Sequence, residues 1–246
     1  QTSVFCAIAY HIDNTASADS VHSLFLWDVC PLDIGVIGNI LTNVYKMHKN
    51  NIKLLYLWLL KYGEEYFMRF DELDLEDEIL DGIDAMNFQE MTPVQEQTIP
   101  IILEGKDIIG CAQTGTGKTA AYTLPLLNRL VCEGNPNNEV RSVIMVPTRE
   151  LAQQIDMQFE GFSYFLPIST TVVYGGGDGA GWDQQKKGLL MGSDVVIATP
   201  GRLLSHIANS GIDLSHVKYF ILDEADRMLD MGFFDDIMQI VKHMPQ

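Results

Sequence analysis

The chain has 246 residues, 47% hydrophobic and 20% charged, which fits one large or two small globular domains and excludes a charge-swollen disordered polymer. A formal net charge of −17 argues against a broad basic surface for nucleic acid, since phosphate neutralisation drives most of that affinity; a local groove of backbone N–H groups and a few arginines can still hold a polyanion. Cys6, Cys30, Cys111 and Cys132 form no C-x-x-C pair and have no histidine cluster beside them, so neither a disulfide framework nor a zinc site is indicated, and reduced thiols in the cytoplasm are the expectation.

Residues 1–67 keep neither a helical nor a strand period, and their most apolar run, at 52–60, is too short to cross a bilayer. No membrane partner is expected. Two readings of this extension stand open: upstream sequence read in frame, with Met68 as the start of the protein proper, or a short helical extension that packs on the domain or on a partner. The acid is concentrated next, with 2 basic against 12 acidic side chains in residues 69–111. Leu75, Ile79, Leu80 and Ile83 have helical spacing within Leu73 to Met86, and the carboxylates between Asp71 and Asp84 form its solvated face. Thr92 and Pro93 read as a cap and first helical residue of a helix through Ile102.

From there strands and helices alternate. Strands are expected at 107–111, 142–146, 170–174, 194–198 and 219–222. Helices are expected at 118–131, 149–162, near 184–190, from about 201 to 209, and at 233–243. This alternation predicts an α/β fold, a parallel β-sheet sandwiched by helices. The unusual segments Ala112–Thr119, Pro147–Ala152, Gly175–Gly177, Thr199–Arg202 and Asp223–Asp226 each follow a strand directly. They therefore collect at the carboxyl edge, where ligands bind in such folds.

Gly115, Gly117, Lys118 and Thr119 make a phosphate loop. Glycines let backbone N–H groups turn inward, Lys118 neutralises the terminal phosphates and Thr119 can ligate Mg²⁺. Asp223 and Glu224 then divide two tasks: holding the metal, and orienting and deprotonating an attacking water.

Ala112-Gln113-Thr114-Gly115-Thr116-Gly117-Lys118-Thr119 with Asp223-Glu224-Ala225-Asp226 resembles the DEAD-box RNA helicases, superfamily 2 ATPases with a RecA-like, P-loop NTPase fold. Pro147-Thr148-Arg149-Glu150-Leu151-Ala152, Gly175-Gly176 and Thr199-Pro200-Gly201-Arg202 are similar to the family's RNA-contacting segments, and 88–95 to its adenine-selecting Q motif. Asn87 stands where that motif has glycine, and Met91 where proline is frequent.

The resemblance covers roughly residues 69–246, within an expected domain of 68–246, and implies ATP and Mg²⁺ as cofactors and RNA as a partner held by its backbone without sequence reading. It implies that Gln95 reads adenine and Phe70 stacks on the base. Gln113, Thr114, Gly115, Thr116, Gly117, Lys118 and Thr119 would hold the phosphates, and Thr119 and Asp223 the metal, with Lys118, Asp223 and Glu224 catalytic. Pro147, Thr148, Arg149, Gly175, Gly176, Thr199, Pro200, Gly201 and Arg202 would hold RNA. Glu150 would pair with Arg202, and Asp226 would couple to later motifs. The implied activity is ATP-dependent RNA unwinding; an ATP-gated RNA clamp or assembly scaffold would use the same residues. The family's Ser-Ala-Thr motif and second RecA-like lobe would follow Gln246, so the chain alone is expected to turn over little ATP, and its sheet to leave an unpaired edge.

Overall fold

The computed structural model describes residues 5–11, 52–55, 68–112, 115–176 and 179–245. Seven strands form one sheet: β1 (Phe5–His11), β2 (Ile52–Leu55), β3 (Asp107–Ala112), β4 (Ser142–Met145), β5 (Thr170–Val173), β6 (Val195–Ala198) and β7 (Tyr219–Leu222). Their spatial order is β2-β3-β1-β7-β4-β6-β5. The helices are α1 (Asp77–Ala85), α2 (Pro93–Leu103), α3 (Lys118–Glu133), α4 (Arg149–Phe162), α5 (Gly179–Met191), α6 (Pro200–Ser210), α7 (Ala225–Asp230) and α8 (Phe234–Val241).

Four pairings are parallel: β2 with β3, β4 with β6, β4 with β7, and β5 with β6. β1 is the exception, running antiparallel to both β3 and β7. Two reversals restore direction, so β3 and β7 are parallel to each other across β1. Ile8 pairs with Ile109 on one side and Leu222 on the other, which sets the ends of β3 and β7 on the same edge, roughly 10 Å apart across one intervening strand. β1 lies between β3 and β7 and pairs with both, while β2 and β5 are the outer strands of the sheet among the described residues. The expectation that residues 1–67 lack strand character fails for 5–11 and 52–55, while the rest of that segment lies outside the described residues.

Side chains alternate along each central strand, and both faces are buried, as a parallel sheet between helical layers requires. Ile144, Val195, Ile197 and Ile221 join one core with Ile79, Leu127, Ile155 and Phe159 from α1, α3 and α4. Val143, Met145, Val196 and Leu222 face the other core, with Leu189, Leu203, Met228 and Ile240 from α5 to α8. The acidic side chains from Asp71 to Asp84 are all exposed. The first helix is shorter than its periodicity predicts: Phe70–Glu72 is a 3₁₀ turn and regular helix begins only at Asp77.

Candidate nucleotide and RNA site

The phosphate loop opens where β3 ends and α3 begins. Gly115 (φ 80°) and Gly117 (φ 85°) both occupy the left-handed region, where a Cβ is strongly disfavoured. A Cβ added at Gly115 would meet nothing within 4 Å, whereas one at Gly117 would lie 2.5 Å from Gln95 Nε2. One glycine therefore faces open space and the other is clamped from behind. Gln113 and Thr114 lie outside the described residues.

The clamp comes from the start of α2. Thr92 and Gln95 form a reciprocal capping box, and Thr92 N–H donates to Gln95 Oε1 at 2.9 Å. The same side chains reach the loop: Thr92 Oγ1 donates to the Thr116 carbonyl at 2.8 Å and Gln95 Nε2 to the Gly117 carbonyl at 3.0 Å. Because a carbonyl can only accept, this bond fixes which way the amide points. Gln95 is 1% exposed. In this structure it braces the phosphate loop instead of presenting its amide to a base. Phe70 likewise differs from expectation. It is 3% exposed and packs edge-on against Phe88, which packs edge-on against Phe162, so it offers no open ring face for stacking.

Lys118 begins α3 and donates from Nζ to the Ala112 carbonyl at 2.9 Å. Burial pulls its ammonium down to about 8, while Asp223, Glu224 and Asp226 pull it back up. Four residues on, Tyr122 shares a helical face with Lys118 and donates its hydroxyl to Asp223 Oδ2 at 2.9 Å. Tyr122 on α3 and Asp223 at the end of β7 are thus one hydrogen bond apart, which brings the helix that follows the phosphate loop against the carboxylate strand. This is the juxtaposition on which the sequence reading depends. Tyr122 was missed there; its i, i+4 spacing from Lys118 was the available signal.

Asp223 is 3% and Glu224 8% exposed. Burial raises the Asp223 carboxyl above its usual range, against the lowering effects of Tyr122 and Lys118. Glu224 takes left-handed backbone angles (φ 54°, ψ 46°) where the chain turns from β7 into α7, a conformation costly for a residue with a Cβ and concentrated at functional sites. Its Oε2 accepts from Arg227 at 3.1 Å. Burial also raises Asp226, whose Oδ1 is enclosed with no partner among the described residues. Buried carboxylates with raised proton affinity call for a cation. Among the described residues there is no cluster of three or more His, Cys, Asp or Glu able to cage one. That donor set fits Mg²⁺, which binds through one or two protein oxygens and completes its shell with water and phosphate.

The expected RNA segments lie along the same edge. Pro147 is buried, while Thr148 caps α4 by accepting from the Leu151 N–H at 3.3 Å. Arg149 is exposed and its guanidinium lies 5.0 Å from the Tyr174 ring centre. Gly175 and Gly176 are exposed, and a Cβ at either would meet nothing within 4 Å. Thr199 precedes Pro200, which opens α6; Pro200 is buried and Gly201 exposed.

Arg202 does not pair with Glu150 as the sequence suggested. Its Nε donates to Gln185 Oε1 at 2.9 Å, while Glu150 is exposed at the start of α4. Gln185 in turn donates to the Tyr174 carbonyl at 3.1 Å. Tyr174 and Gln185 thus connect the Arg149, Gly175 and Arg202 loops, a role that no motif in the sequence announced.

Fold and site together define a nucleoside-triphosphate-binding α/β domain of the phosphate-loop class. Residues 92–246 match the family model described as DEAD/DEAH box helicase, and the chain belongs to that family. It is 45% identical over 177 residues to the ATP-dependent RNA helicase CshA of Listeria monocytogenes, covering 72% of this chain and 33% of that protein. It is 43% identical over 183 residues to the ATP-dependent rRNA helicase RRP3 of Eremothecium gossypii, covering 74% of this chain and 36% of that protein. The solved structure of a DEAD box protein from the hyperthermophile Methanococcus jannaschii superposes with a TM-score of 0.64 at 38% identity, over 72% of this chain and 47% of that one. The chain spans about a third of the length of these curated relatives. Among the described residues no helix is long and apolar enough to cross a membrane.

Proposed function

We propose that this chain is the nucleotide-binding lobe of an ATP-dependent RNA helicase. The observation that carries the reading is the Tyr122–Asp223 hydrogen bond, which draws the helix opened by the phosphate loop against the carboxylate strand. The loop's inward N–H groups and the positive end of α3 bind phosphate, and Lys118 adds a full charge. Thr119 and Asp223 would hold Mg²⁺, which when bound neutralises developing phosphate charge. Glu224, fixed at the strand-to-helix turn, orients a water against the terminal phosphate and takes its proton, a contribution of about 10²–10⁴-fold.

RNA would lie along the same edge against Thr148, Arg149, Gly175, Gly176, Thr199, Gly201 and Arg202. The bare glycines admit a backbone closely and the arginines meet phosphates. Such contacts hold a strand without reading it, which suits an enzyme acting on many sequences. Unwinding and coupling through Asp226 and Glu150 belong to the whole protein.

The test is titration with ATP and Mg²⁺. Lys118→Ala should abolish measurable binding, whereas Glu224→Gln should bind like the wild type and, in the whole protein, lose RNA-stimulated hydrolysis. Equal ATP affinity for wild type and Lys118→Ala would overturn the assignment of the site.

A further inference from the structure

Trp182 on α5 is half-buried, and its indole stacks on the His206 ring, with centres 3.8 Å apart and planes within 18°. The Arg202 guanidinium carbon lies 4.5 Å from the Trp182 ring centre. Three residues along the same helix, Gln185 accepts at Oε1 from Arg202 Nε (2.9 Å) and lies 3.2 Å from His206 Nε2. Since that oxygen only accepts, His206 must carry its proton on Nε2 to bond it. His206 is completely buried; burial, then Arg202 and Lys186, depress its pKa to about 4. It is therefore a neutral ring that gives the indole a flat support without opposing Arg202 by charge.

Among the described residues, Arg202 Nη2 is enclosed and has no acceptor. The guanidinium is thus held at Nε and across an aromatic ring, and its terminal amines keep their donors for an oxygen supplied from elsewhere. An unrestrained arginine would lose much rotamer freedom on binding a phosphate; one already stacked and bonded loses little.

We propose that Trp182 is a positioning residue that presents Arg202 to a phosphate of single-stranded RNA. The proposal rests on the RNA reading of this edge and adds a residue that none of the motif segments contains. An aliphatic residue could fill the same space between α5 and α6, but only an aromatic ring attracts the guanidinium through its quadrupole.

The test uses fluorescence anisotropy of a labelled oligouridylate, over a salt series, with the 246-residue chain and its variants. Trp182→Leu should weaken binding about tenfold. Like Arg202→Ala, it should reduce the slope of log affinity against log salt by about 0.7, the value for one lost single-strand phosphate contact. In the Arg202→Ala background the tryptophan change should add nothing. The series Trp, Tyr, Phe at position 182 should fall in that order, and it carries the test if Trp182→Leu does not fold. Wild-type affinity and slope in Trp182→Leu, a flat aromatic series, or fully multiplicative losses in the double variant would each overturn the proposal while leaving the RNA reading standing. Absence of RNA binding by the wild-type chain at every salt concentration would overturn that reading and this proposal with it.

Discussion

Asp194→Asn should be among the most damaging single-atom exchanges in the domain. Asp194 precedes β6 and bonds Arg141 Nη2 at 2.6 Å, the two side chains being 7% and 5% exposed. Asn135 Nδ2, the Ser169 N–H and the Ser169 hydroxyl also donate to it at 2.9, 2.9 and 2.8 Å. Burial would push this carboxyl up, but these donors outweigh it and hold it below the usual carboxylate range. Arg141 Nη1 bonds the carbonyls of Leu130 and Gly134 at 2.9 and 2.7 Å, so one pair joins the end of α3 to the starts of β4, β5 and β6.

Removing only the negative charge leaves a buried guanidinium uncompensated, a loss of about 3–5 kcal/mol. A cavity of about 560 Å³ borders both residues and admits water, which places the cost at the lower end, about 3 kcal/mol. Against a total stability of about 5–15 kcal/mol, that shift is plain in equilibrium urea unfolding. Arg141→Met combined with Asp194→Asn removes both charges and should recover at least half of the loss. A single-variant loss below about 1 kcal/mol, or a double variant worse than either single one, would refute the argument that uncompensated charge dominates.

Gln95→Ala distinguishes bracing of the phosphate loop from reading of adenine. Bracing predicts that ATP and GTP affinities fall together, whereas an effect confined to ATP would restore the adenine role. Gly82→Ala should destabilise the domain by about 1–3 kcal/mol despite alanine's better helix propensity, because its Cβ would lie 2.4 Å from the Phe162 carbonyl oxygen; an unchanged thermal midpoint would show that the α1–α4 contact yields easily. His206, held near 4 in the fold and near 6.5 when unfolded, binds more protons unfolded. Stability should therefore fall as pH drops from about 6.5 towards 4, by about 3 kcal/mol at the lower end, and His206→Gln should flatten that part of the profile in urea titrations at successive pH values.

Strands buried on both faces announce themselves as short apolar runs between turn residues, which is why β3 to β7 and the edge that gathers the loops could be read from the chain. Two of the misread regions have local causes. α7 begins directly after the left-handed Glu224 and is only six residues long, too short for a periodic signal. Leu73 and Leu75 mimic helical spacing, but Leu75 is anchored into the core from a segment that precedes regular helix. β1 and β2 lacked a pattern because their pairing partners are remote along the chain, Ile52 pairing with Asp107 and Ile8 with both Ile109 and Leu222, and nothing local specifies them.

The site divides along the same line. Glycines and the charged residues of the loops suggest their chemistry by identity, so Gly115, Gly117, Lys118 and Asp223 could be proposed without coordinates, and both glycines do take positive φ. Partnerships between loops depend on strand order. The sheet places β6 between β4 and β5, so Arg202, which follows β6, has neighbours from both sides. Glu150 offers charge, but it stays in solvent, where an ion pair gains little. Gln185 and Trp182 offer a buried acceptor and a ring from one helix face, and they hold the guanidinium. Only the fold decides that contest, and its outcome turns an apparently isolated arginine into a pre-set one.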